Sequence, residues 1–68
     1  RGIVAETMLA WPMLAVGGVM LWDDIYDGRY PALTQSIEIM LPMLENLGGK
    51  ILFQGSKQVA VIRVDEGG

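Results

Sequence analysis

Cysteine and histidine are both missing from the 68-residue chain. Without cysteine there is no disulfide and no thiolate nucleophile, and without either residue there is no Cys/His zinc site and no Ser-His or Cys-His couple for acyl transfer. Basic residues are scarce, five Lys and Arg against eight Asp and Glu, and they form no run. Nucleic acids and anionic membranes are held through clustered cations, so with a net charge of −3 neither is an expected partner. Long apolar runs are lacking too. The richest stretch, residues 8 to 22, is interrupted by Pro12, Gly17 and Gly18 and falls short of the ~20 residues that cross a bilayer. No basic segment precedes it and no small-residue cleavage site follows it, so a cytoplasmic chain without a secretory signal is expected.

Apolar side chains, in contrast, are plentiful. They make up 51% of the chain against 19% charged, whereas a chain of this size buries only about 60% of the surface its unfolded form exposes. Some apolar surface must therefore face water or a second copy. With no disulfide or metal to brace a small fold, a homo-oligomer, most simply a dimer, is the expected support. The chain opens on Arg1 rather than Met and ends Asp65-Glu66-Gly67-Gly68, and both ends read as cut from something longer. Residues 1–68 are thus expected to form one partial α/β domain.

Periodicity gives the order helix, strand, helix, strand, strand. Over residues 3 to 14, Val4, Met8, Trp11 and Ala15 share one helical face while Glu6 and Thr7 point away. Pro12 kinks or restarts this helix, and Gly17-Gly18 stops it. Val19-Met20-Leu21-Trp22 has no alternation, which suits a strand buried on both faces. It ends at Asp23-Asp24, and a turn containing Asp24, Asp27 and Gly28 leads to Pro31 as the first residue of a second helix. Along that helix Leu33, Ile37, Met40, Leu41 and Leu44 recur at intervals of three and four, opposite Gln35, Glu38 and Glu45. Pro42 should bend it, and Asn46, Gly48 and Gly49 close it. Two strands follow, at residues 51–53 and 59–64. Gly55-Ser56 between them reads as a type II′ turn, making them antiparallel neighbours. Trp11, Trp22 and the five methionines are expected to be core filler.

Leu9-Ala10-Trp11-Pro12-Met13-Leu14, then Gly17-Gly18-Val19-Met20-Leu21-Trp22-Asp23-Asp24, resembles the C-terminal part of class I S-adenosylmethionine-dependent methyltransferases. The closing Lys57-Gln58-Val59-Ala60-Val61-Ile62-Arg63-Val64 is similar as well. In that family a helix ending near Gly-Gly leads into a strand that closes on an acidic pair and an aromatic. Here Ala15-Val16 stands where Lys-Pro is usual, and Ile25-Tyr26 sets the aromatic one place late. The resemblance spans nearly the whole chain but only about the last third of such a domain. It implies a partial Rossmann-like unit with a three-stranded mixed sheet. The last strand would insert antiparallel between the other two, in the order 19–22, 59–64, 51–53. The Gly-rich first loop that binds S-adenosylmethionine in the parent family has no counterpart here, so this cofactor is not expected on the chain alone.

Asp23 and Asp24 sit at the carboxyl end of a predicted strand, where ligands bind in open α/β sheets, and adjacent carboxylates favour a hard cation such as Mg²⁺. In the metal-dependent O-methyltransferases that this segment resembles, an acidic pair at this place helps hold Mg²⁺ beside the acceptor hydroxyl. The plainer reading is that the two residues cap a strand and shape a turn. Tyr26, Arg29 and Tyr30 in the following loop fit an acceptor pocket or an ordinary solvated loop. Asp23-Asp24-Ile25-Tyr26-Asp27 also spells the Asp-rich pattern of isoprenoid synthases, where it lies on a long helix; the strand before it and Gly28 and Pro31 after it argue against that context. Three functions follow: a fragment of a Mg²⁺-dependent O-methyltransferase, a non-catalytic self-associating module, or a minimal metal-dependent enzyme assembled across subunits.

Overall fold

A computed structural model of the chain describes residues 2–24 and 31–66. Helix α1 (Ile3–Ala10) is followed by a 3₁₀ turn (Trp11–Met13), strand β1 (Val19–Asp23), helix α2 (Pro31–Asn46) and strands β2 (Gly49–Gln54) and β3 (Gln58–Arg63). The expected order of elements holds. The first helix is shorter than its apolar pattern implied. Pro12 has no amide hydrogen and its ring crowds the preceding turn, so the α-helix gives way at Ala10 to the tighter 3₁₀ turn, and Leu14 is already extended. Gly17-Gly18 therefore ends no helix. Gly17, at φ +91°, swings the chain into β1, and its N–H donates to the Arg63 carbonyl at 2.6 Å.

Helix α2 runs from Pro31 as expected and buries Ile37, Met40, Leu41 and Leu44. Pro42 is tolerated inside it because Pro42 and Glu38 both lie on the exposed side, where the carbonyl freed by the missing N–H meets water. The helix closes at Gly48, whose φ of +90° suits a residue without Cβ. The Gly48 carbonyl then accepts the Val64 N–H at 2.8 Å, tying the end of α2 to the end of β3.

The sheet order is β1-β3-β2, with β3 antiparallel to both neighbours. The order matches the expectation, but the sheet is wholly antiparallel and not mixed. The two strands that run the same way, β1 and β2, never touch, because β3 lies between them. The β2–β3 connection spans residues 55–57 rather than two residues, and Gly55 lacks the positive φ that a type II′ turn requires. A bulge between Ile51 and Phe53 accompanies it.

Both helices lie on one face of the sheet. Trp11 and the buried α2 residues pack there against Trp22, Val59 and Val61, with Ile3, Val4, Met8, Leu33 and Ile51 around them. Burial of β1 on both faces is overturned: Val19 and Leu21 are 48% and 56% exposed, while Trp22 between them and Asp23 is buried. Strand residues alternate sides, so covering one face of β1 leaves the other bare. Thr7 also departs from expectation and is buried at 5% exposure. Its Oγ1 accepts the Trp22 indole N–H at 3.4 Å, the acceptor that a buried indole needs. Ala15 is exposed. Among the methionines Met40 is core, whereas Met13 and Met43 face solvent. No described helix is long and apolar enough to cross a membrane.

Candidate functional site

Because β1 and β2 run in the same direction, their carboxyl ends share one end of the sheet, and the β2–β3 turn lies there too. Asp23 is the last residue of β1 and pairs with Gln58, the first of β3. Asp23 is among the residues lining a shallow hollow of about 370 Å³, with Phe53, Gly55, Ser56, Lys57 and Gln58. Residues that carry a carboxylate, an ammonium, a hydroxyl and an amide thus share this end of the sheet with an aromatic one. Sequence reasoning singled out Asp23 alone of these six. Ser56 was legible only as a turn residue, and Lys57 only as the start of the closing segment, although turns are where ligand contacts concentrate.

Asp24 takes a different place. It has φ +57°, and its N–H donates to Asp23 Oδ1 at 2.9 Å. One Asp23 oxygen is thus taken up by the neighbouring backbone N–H. Both side chains are exposed, and Asp24 does not line the hollow. Tyr26, Arg29 and Tyr30, the expected acceptor-pocket residues, lie outside the described residues, as do Asp27 and Gly28.

Two exposed carboxylates fit a Mg²⁺ site of the open kind, in which the protein provides one or two oxygens and water the rest. They do not make a closed one: among the described residues no group of three or more acidic side chains converges. Asp23 is common to the acidic pair and to the hollow.

A further residue was missed in the sequence. Arg63, at the end of β3, is 8% exposed. Its Nη1 donates to the carbonyls of Trp11 (3.2 Å), Pro12 (3.4 Å) and Leu14, its Nε to the Asp65 carbonyl (3.3 Å), and its Nη2 to Glu66 (3.0 Å). The guanidinium lies 6.0 Å from the Trp11 ring centroid. The signal was its position: Val59, Val61 and Arg63 alternate along β3 toward the helices, so Arg63 had to enter the core or leave it at the rim. It is engaged by backbone carbonyls and is not free to bind a ligand. Compared with known proteins, the chain matches no family model, no curated protein and no solved structure.

Proposed function

We propose that the chain is the C-terminal segment of a Rossmann-like, S-adenosylmethionine-dependent O-methyltransferase, and that Asp23 and Asp24 contribute to its divalent-metal site. The observation that supports this most is the placement of an acidic pair at the carboxyl end of β1, ahead of α2, in a sheet whose last strand is inserted antiparallel between the two before it. That combination is what the resembling family has. Asp23, with an oxygen left over after accepting the Asp24 N–H, and Asp24, exposed beside it, would hold the cation. Mg²⁺ bound there supplies Lewis acidity toward an acceptor hydroxyl. Lys57 and Ser56 line the hollow beside Asp23 and would meet an acceptor bound there. S-adenosylmethionine belongs to the parent domain, whose Gly-rich loop the chain does not carry.

Calorimetric titration tests this reading. Mg²⁺ binding to the wild type and its loss in the Asp23→Ala/Asp24→Ala double variant is the expected pair of results. Binding that survives in the double variant sinks the metal assignment. S-adenosylmethionine is expected not to bind the chain alone, and affinity for it would point to a complete cofactor site.

A second reading, a self-associating module, has its own support. Val19, Leu21, Leu52 and Phe53 are about half exposed, and such apolar side chains are what a second copy could cover. The chain on its own is accordingly proposed to form a homodimer.

A further inference from the structure

We infer that this homodimer forms by antiparallel pairing of β1 with β1 of a second copy, with Leu21 on the two-fold axis. The inference rests on the self-association proposed above and adds to it the edge, the register and the residue at the centre. The two outer strands are not equivalent. β2 carries the bulge between Ile51 and Phe53 and the charged Lys50, both of which discourage a further strand. β1 has neither. It runs without a bulge against β3 from Val19 to Asp23, contains no proline or lysine, and carries one charge, at its last residue.

The hydrogen-bond phase of β1 follows from its entry. The Arg63 N–H donates to the Gly18 carbonyl at 2.9 Å, and Gly18 precedes Val19, whose partner is Ile62. In an antiparallel ladder, inward-bonding residues alternate. Gly18, Met20 and Trp22 therefore bond to β3, and Val19, Leu21 and Asp23 turn their N–H and C=O groups to the free edge. Three outward residues centred on one of them form a self-complementary set. A two-fold through Leu21 pairs it with its own copy and pairs each Val19 with the other copy's Asp23, so all three outward N–H groups find carbonyls. Leu21 meets Leu21 on the bare face, Met20 meets Trp22 on the helix side, and no like charges face each other across the axis. Any other register leaves outward groups unpaired or loses the symmetry.

Methylating the Leu21 amide nitrogen in a synthetic chain removes one outward donor per copy and keeps the side chain. The same change at Ile51, which by the same alternation faces the free edge of β2, is the control. Sedimentation equilibrium from about 1 µM to about 1 mM should show a wild-type dimer. At about fivefold for each of the two bonds lost, the Leu21 change should raise its dissociation constant about 25-fold and the Ile51 change should leave it unmoved. Amide exchange on the unmodified chain is independent of how the methylated chains fold. The Val19, Leu21 and Asp23 amides should gain protection with concentration while the Ile51 amide does not. A wild type that is monomeric at about 1 mM overturns self-association itself. A dimer insensitive to the Leu21 change, or protected first at Ile51, leaves self-association standing and overturns the β1 edge.

Discussion

Replacing Arg63 by alanine should remove more stability than any other single truncation of a polar side chain here. The guanidinium draws together the carbonyls of the 3₁₀ turn, the Asp65 carbonyl and Glu66 from a site that is 8% exposed. Hydrogen bonds to a charged group contribute about 1.5 to 3 kcal/mol each. Nη1 shares its donors among three acceptors, so the set counts as about two full bonds, or about 3 kcal/mol. The Glu66 contact adds little, since that side chain is 83% exposed and its pairing is screened by water. A domain of this length holds roughly 3 to 10 kcal/mol in all. Arg63→Ala should therefore remove about a third or more of it, Arg63→Lys should lose about half as much, and Glu66→Gln less than about 0.5 kcal/mol. Urea titration followed by tryptophan fluorescence, at one fixed protein concentration, reads this directly because Trp11 lies against Arg63. At about 1 kcal/mol per molar urea the alanine variant's midpoint falls by about 3 M. An alanine variant within about 0.5 kcal/mol of wild type, or a Glu66→Gln variant as damaged as it, would refute the reasoning.

Two further substitutions probe the packing between the helices and the sheet. A Cβ at Gly49 would come within 2.8 Å of the Leu44 carbonyl oxygen and 2.9 Å of Val61 Cγ1. Gly49→Ala should accordingly cost about 1 to 3 kcal/mol in the same titration, and an unchanged midpoint would mean that α2 and β2 part easily. Thr7→Val strips the buried Trp22 indole of its acceptor and should cost about 1 to 2 kcal/mol, whereas Thr7→Ser keeps the hydroxyl and should cost less; equal losses would deny the hydrogen bond its role.

The outline was legible because it rests on local chemistry. The spacing of Ile37, Met40, Leu41 and Leu44 fixes which side of α2 is buried, Pro31 starts that helix and Gly48 ends it. What sequence could not give is how each strand is covered. Apolar residues at every position of Val19-Met20-Leu21-Trp22 are compatible with a strand buried on two faces or with one whose second face is bare, and only the placement of both helices on one side decides. Thr7 looked like a surface residue because its hydroxyl is polar; its partner, Trp22, is far along the chain. At the candidate site Asp23 was visible as the end of a strand, but Ser56 and Lys57 reach its neighbourhood through pairing of β3 with β1, which no local pattern encodes.

The position of β3 has a consequence for the order in which the chain acquires structure. Of the three described strands the central one is made last, and within this sheet neither outer strand has its partner before it arrives. Arg63 bonds to the Trp11 carbonyl across 52 positions of sequence, so even the anchoring of the 3₁₀ turn waits until Arg63 has been made. Contacts so distant along the chain are slow to form. Until they do, β1 is an apolar segment without its β3 ladder, open to chaperones and to pairing with other nascent chains. Cutting the chain before residue 58 would thus not remove one strand from this sheet; it would leave no two of the described strands paired.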